Sequence, residues 1–418
     1  MFKFLISALL LLSMGVQAQE RFPLDSAWAA ARRYYPLLKQ QAATDRATAL
    51  QLRNIRTGYL PQAEINGKAT YQSDVVAIPI KLPNVNIPTM PKDQYNLSLD
   101  VRQLIYDGGA IAGQRELQLA RQQADRQKVE VDLHQLRQQV AQVYFNALIW
   151  DAHITARREM IAEVKQRREK LQAGVDNGTV LASQADMLHA EQLKTEQQLE
   201  EALNGKQAAL ATLALLTGKP EAEMNALILP APAETGDQPL QRPEQALFRY
   251  QQEVLRRQGD LTGSQTRPKV SAFVQGGYGR PGLNLLSDKF DFYYMGGLRL
   301  QWSVWNWHTQ RTERAVLQEQ ERGVEAQLEA FDLQTRARLL QQKSEINTLS
   351  AAIVKDQEIV ALRGRVKNVS AAQLDNGVMT VHDYLSDLYA ETSAIIAGKT
   401  REIQYVFATI QYQVIKGY

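Results

Sequence analysis

Two kinds of periodicity alternate along this chain, and each occurs twice. From Ala63 to Gln72 the odd positions are apolar or small (Ala63, Ile65, Gly67, Ala69, Tyr71). The even ones are polar (Glu64, Asn66, Lys68, Thr70, Gln72). A period of two, with one greasy and one wet face, predicts a strand, here over 62–73. Tyr95, Leu97, Leu99 and Val101 against Gln94, Asn96, Ser98, Asp100 and Arg102 predict a second, over 94–105. Between them, Val75 to Lys92 holds Pro79, Pro83, Pro88 and Pro91, a density that excludes helix and central strand. The pair returns about 199 residues later. Val270, Ala272, Val274, Gly276 and Tyr278 are in phase over 269–279. Leu298, Leu300, Trp302 and Val304 oppose Arg299, Gln301 and Ser303 over 292–304.

After each strand pair the period turns helical. Leu133, Leu136, Val140, Val143, Ala147, Trp150, Ile154, Ile161, Val164 and Leu171 fall on a 3-4 spacing, with Arg157 and Arg168 as charged exceptions. That heptad seam predicts a helix over 107–172 packed lengthwise on a neighbour. At 1.5 Å per residue it would be about 100 Å long. Asp176-Asn177-Gly178 marks a turn, and a return helix is expected over 183–216, stopped by Gly218 and Pro220. The second copy predicts a long helix over 306–370, a turn at Asp375-Asn376-Gly377 and a return helix over 380–414. Shorter helices precede the strands, over Leu24–Thr57 and Glu244–Ser264. The expected layout is therefore a first repeat over 19–220, a connector over 221–243 rich in Pro, Gly and Ala, and a second repeat over 244–418.

The first residues read as an export signal, 1–18. Lys3 is followed by the short apolar run Phe4 to Met14 and a small-residue site, Val16-Gln17-Ala18. The run is shorter than the roughly 20 residues of a membrane span. The chain has no cysteine, so neither disulfides nor acylation near the cleavage site are expected. A formal charge of +3 with interleaved signs points to no nucleic-acid partner.

Each strand has the length and alternation of a tilted membrane strand. The helix seams are satisfied by helix packing, which leaves little apolar surface to cover a sheet. Four strands cannot seal a barrel, and open edges are not tolerated in hydrocarbon. Copies of the chain must complete it. Two would give a narrow cylinder of eight strands, and three would give twelve. Tyr95, Tyr106, Tyr294, Trp302 and Trp305 lie where an interfacial aromatic girdle in contact with outer-membrane lipid would form.

This ordered set resembles the TolC family of outer-membrane efflux channels over essentially the whole mature chain. The resemblance is carried by the duplicated helix–strand–strand–helix–helix unit, by Gly58-Tyr59-Leu60-Pro61, and by the junction Leu104-Ile105-Tyr106-Asp107-Gly108-Gly109. It extends to Gly178 to Glu191, with Asp186, Leu188 and Ala190. It implies an α+β membrane protein with internal duplication. A trimeric twelve-stranded β-barrel, four strands per protomer, would continue into a long α-helical coiled-coil barrel. It implies a homotrimer in the outer membrane that extends into the periplasm. There it would be a passive conduit for efflux or type I secretion, coupled through a periplasmic adaptor protein to an inner-membrane transporter. The helix-tip turns at Gly178 and Gly377 would form the periplasmic entrance. Asp383 matches the first acidic residue of the family's constriction. Asp387 lies one residue out of register with the second, because Ser386 holds the matching place. Asp186 is the first-repeat counterpart. The tyrosine and arginine that lock the family's closed state align with Leu374 and Met379, neither of which can make those polar links.

Enzyme chemistry is not expected. His134, His153, His189, His308 and His382 are scattered, and no second ligand pair accompanies His189-Ala190-Glu191. No phosphate loop or nucleophile elbow occurs. No cofactor or metal is expected. The competing reading is a non-membrane periplasmic coiled-coil adaptor protein. Such a protein needs one helical hairpin, whereas this chain has two with strands between.

Overall fold

The computed structural model describes residues 21–76, 90–224, 226–236, 238–284 and 287–418. The expected export signal and the prolines at 79, 83 and 88 lie outside the described residues. The chain divides into two compact units.

The first unit takes its residues from Met1–Lys39, Val129–Pro243 and Ala330–Tyr418. It contains α1 (Leu24–Tyr34), most of α3 (Ala110–Asp176), α4 (Ala182–Thr217), most of α6 (Thr309–Asp375) and α7 (Val381–Lys416). The two long helices have 67 residues each and the two return helices 36 each. The main apolar cluster joins Ala27 and Ala31 of α1, Leu136, Val140 and Phe145 of α3, Leu213 of α4, and Val406 and Ile410 of α7. Burial of such seams, rather than helix propensity, stabilises helices of this length. Tyr144 is fully buried and ties the connector down. Its hydroxyl lies 2.8 Å from the Phe22 and Ile228 carbonyl oxygens and accepts from the Ile228 N–H at 3.0 Å. Burial pushes the phenol up to about 12, so it stays a neutral donor. The connector holds one short 3₁₀ turn, Glu221–Met224.

The second unit takes Gln40–Lys128 and Glu244–Glu329. Its sheet has the order β1 (Gln62–Tyr71), β2 (Asp93–Tyr106), β3 (Lys269–Arg280), β4 (Asp291–Gln301), every pair antiparallel. Beside it stand most of α2 (Leu37–Thr57), the start of α3, α5 (Pro243–Ser264) and the start of α6. The helices of this unit are tied mostly by polar contacts: Gln118 to Gln51, Arg126 to Asp45 and Arg256 to Glu321.

Several bounds differ from the sequence expectation, each for a local reason. The helix expected over 24–57 is two helices. Pro36 forces the residue before it out of the helical region, and Tyr35 sits at φ −62, ψ 123. The long helices start at Ala110 and Thr309 rather than at 107 and 306. The residues just ahead of them, 108–109 and 307–308, have positive φ. Asp107 instead receives the Gly109 and Ile111 N–H groups, at 2.8 and 2.6 Å. β4 stops at Gln301, not 304. Its last partner is Lys269, and the residue before that, Pro268, has no N–H to extend the ladder.

Candidate functional site

The sheet sorts its side chains onto two chemically opposite faces. Register places Ile65 opposite Leu99, Leu97 opposite Tyr278, and Val270 opposite Leu300. This apolar face is uncovered: Ile65 is 76% exposed, Leu298 72% and Tyr294 86%. The other face carries a hydrogen-bonded polar chain. Asn66 donates to Asp100 at 2.6 Å, Ser98 donates to the same carboxylate at 3.1 Å, and Gln275 donates to Ser98 at 3.4 Å. Asn96 donates to the Tyr293 hydroxyl at 2.6 Å. All four strands contribute. Gly277 and Gly297 let the Tyr293 and Phe273 rings lie flat over the neighbouring strand. A Cβ on Gly277 would come within 2.5 Å of the Tyr293 ring.

Aromatic residues collect at both ends of this sheet. At the loop end Tyr95 and Tyr278 stack with Phe290, and Tyr278 packs on Phe292 at 4.6 Å. Tyr294 lies two residues inward of Phe292 on the same face. At the helix end are Tyr106, Trp302 and Trp305, all exposed. Both tryptophans lie past the end of β4, and Trp302 donates its indole N–H to the Thr266 carbonyl at 3.0 Å. That bond ties residue 302 to the segment leading into β3.

In the first unit, the acidic residues singled out from the sequence lie in the first two turns of the return helices, Asp186 in α4 and Asp383 and Asp387 in α7. Both turns use a glycine at φ +70, Gly178 and Gly377. Asp383 is exposed and bonds to Thr380, the N-cap of α7. Its backbone N–H donates to Thr380 Oγ1 at 3.2 Å, and the Thr380 hydroxyl donates to its carboxylate at 2.6 Å. Asp387 is half-buried and accepts from Ser370 of α6 at 2.5 Å. Asp186 is exposed near the start of α4. Leu374 is buried, and Met379 packs against the same apolar cluster, with Val164, Leu188, Tyr384 and Leu388.

Sequence reasoning missed an ionic cluster just behind this apolar plug. Lys367 of α6 reaches Glu163 of α3 at 3.0 Å and Glu391 of α7 at 3.2 Å. The buried Tyr384 donates to the other oxygen of Glu163 at 2.8 Å. Arg167 pairs with Asp375 at 2.5 Å and stands over the Tyr384 ring at 5.5 Å. Burial alone would lower the Lys367 ammonium, but the two carboxylates outweigh it and hold it above its ordinary value. Burial, with Glu163 alongside, raises the Tyr384 phenol. Three helices, α3, α6 and α7, are thus joined by charge. The available signal was the recurrence of Glu191 as Glu391, an acid on a seam-rich helix. What the sequence does not show is that Lys367 lies across from it.

Among the described residues no helix is long and apolar enough to cross a membrane, which says nothing of strands. No group of metal-ligating side chains occurs among them either.

No protein-family model matches the sequence, and no curated protein matches it. Solved structures do. The outer membrane protein VceC of Vibrio cholerae aligns at 15% identity over 93% of this chain and 95% of that one, with a TM-score of 0.67. The Campylobacter jejuni CmeC outer membrane channel aligns at 16% identity over 94% and 84%, with a TM-score of 0.68. A membrane protein of Pseudomonas aeruginosa gives 14%, 96% and 91%, with a TM-score of 0.72. The chain has the fold of the outer-membrane channels. This is the fold that the resemblance to the TolC family implied, and at such identities it is the fold that the likeness establishes.

Proposed function

We propose that this chain is one protomer of a trimeric outer-membrane channel that extends into the periplasm. It would serve as a passive conduit for efflux or type I secretion. The observation that carries this reading is the sheet: four strands of membrane-spanning length, one uncovered apolar face, one hydrogen-bonded polar face and two free edges. An apolar face of that extent is stable against lipid and costly against water. The edges β1 and β4 carry backbone groups that hydrocarbon cannot satisfy, so neighbouring copies must pair with them. Three copies close twelve strands around a polar bore. The likeness in fold to CmeC and VceC supports the same arrangement.

The internal duplication visible in the sequence is supported by the matching helix lengths. The acidic residues Asp383, Asp387 and Asp186 would ring the periplasmic entrance in three copies, drawing cations and repelling anions. Asp383 also serves its own helix start, so it would act as cap and ring member together. Coupling to an adaptor protein and an inner-membrane transporter follows from the TolC resemblance.

The deciding experiment is to purify the mature chain in detergent, measure its mass, and reconstitute it into planar bilayers. A heat-sensitive trimer with single-channel conductance is expected, and Asp383→Ala should reduce cation preference. A chain that stays monomeric and soluble without detergent would eliminate the channel and favour the adaptor reading.

A further inference from the structure

The first unit holds a cavity of about 440 Å³ where the start of α1, the connector and the last turns of α7 meet α3. Leu24, Trp28, Ile228, Pro230, Ile410 and Val414 give it an apolar wall. Such a size and lining belong to a small-molecule site rather than to a packing void. Among the polar side chains that also line it are Asp25, Arg137 and Gln413.

The hydrogen bonding of these groups is incomplete. The Arg137 carbonyl accepts the Trp28 indole N–H at 2.9 Å, and the Arg137 guanidinium stands over the Trp28 ring at 4.0 Å. That cation–π contact holds the guanidinium in place without using its N–H donors. Its Nε atom is buried with no hydrogen-bond partner. Burial pulls the guanidinium below its ordinary value, and Asp25 is the charge that opposes this. Among the described residues the two nevertheless form no ion pair, and Asp25 is exposed. The Gln413 amide donates to the Glu234 carbonyl, which leaves its Oε1 buried and without a partner. A buried donor and a buried acceptor left unbonded on one apolar cavity are costly, and a ligand that bonds both recovers that cost.

We propose that this cavity binds a small zwitterion with an apolar body, the class of an apolar amino acid. Arg137 takes the carboxylate, for which a guanidinium already held flat on an indole is preorganised. Asp25 and the Gln413 Oε1 take the ammonium, and the apolar wall takes the body. The cavity carries one cation and one anion that do not pair with each other, so it favours a ligand with both charges over a simple anion or cation. Every residue involved lies in the first unit. The inference is therefore independent of whether the sheet is embedded in a membrane.

The test is isothermal titration calorimetry of the full chain in detergent, with L-phenylalanine as the probe. Saturable binding at one site per chain is expected. Hydrocinnamate lacks the ammonium and phenethylamine lacks the carboxylate, and each should bind about tenfold more weakly or worse. Arg137→Met should abolish phenylalanine binding. Asp25→Asn changes an exposed side chain and keeps the fold, as circular dichroism would verify. It should weaken phenylalanine by about tenfold and leave hydrocinnamate unchanged. A chain to which phenylalanine does not bind, or binds equally well after both substitutions, overturns the proposal. Hydrocinnamate that binds as tightly as phenylalanine overturns it too, because the site would then read the carboxylate alone.

Discussion

At Asp176-Asn177-Gly178 and at Asp375-Asn376-Gly377 the chain reverses through the same turn with different surroundings. In both, the asparagine side chain donates to the carbonyl four residues back, at 2.8 and 2.9 Å. In both, the residue after glycine donates back into the last helical turn, from Thr179 to Gly174 and from Val378 to Gln373, each at 2.9 Å. The supports differ. Asp176 accepts only from Gln172 of its own helix among the described residues, whereas Asp375 is held by Arg167 and Lys170 of α3. α4 starts at Leu181 with no side-chain cap, while α7 starts at Thr380 with one. Turn geometry is thus set by local sequence, and among the described residues the aspartate of the second turn, unlike that of the first, pairs with the long helix of the other hairpin.

The largest expected effect lies behind that second tip. Lys367→Met would leave Glu163 and Glu391, whose side chains are 26% and 14% exposed, facing each other without a cation. A loss of about 3 kcal/mol is expected. Arg168 holds the corresponding place in the first long helix and, among the described residues, pairs with the exposed His189 at 2.7 Å. Arg168→Met should cost less than about 1 kcal/mol. Denaturant midpoints of the two variants, measured side by side, test the asymmetry; equal shifts would end it.

The turns themselves should respond alike. A Cβ at Gly178 or Gly377 meets nothing within 4 Å, so alanine at either is opposed by backbone conformation alone. About 1 kcal/mol is expected at each. A much larger loss at Gly377 would mean that the second turn carries a strain the first does not. The caps come next. Thr380→Ala should cost about 1 kcal/mol, and Leu181→Ala, where no cap bond exists, close to nothing. Helix content and thermal midpoint would separate them.

The strands, hairpins and turn glycines were legible because each is written locally, as a period or as a residue with a special backbone. Tyr144, Lys367 and Arg167 were not legible. Each acts through a partner distant in sequence, and a lysine on a helix looks the same whether it faces water or two carboxylates. The junction at Trp307 misled for another reason. The sequence around it reads as helix, and only the backbone reveals that two bulky residues occupy conformations glycine would prefer. Asp383 was singled out by family register, and the structure adds that it is bonded to Thr380.

The smallest effect is also the most specific to the second tip. The Arg167 guanidinium hydrogen-bonded to Asp375, with Lys170 nearby, holds that carboxyl below its ordinary value near 3.8. A depressed native value stabilises the fold above the ordinary carboxylate range. That contribution fades as pH falls through the native value, where the folded state too takes up the proton. The Asp375 side chain is 43% exposed, so solvent screening keeps the contribution to about 0.5 kcal/mol. Asp375→Asn should therefore be slightly less stable than the unaltered protein at neutral pH, and the two stability curves should converge below about pH 4. Arg167→Met should reproduce the same convergence, since it removes the other half of the pair. The double variant should then lose no more than the larger single loss. Additive losses in that cycle would mean that the two residues act separately, and the second tip would be tied to α3 by its apolar plug alone.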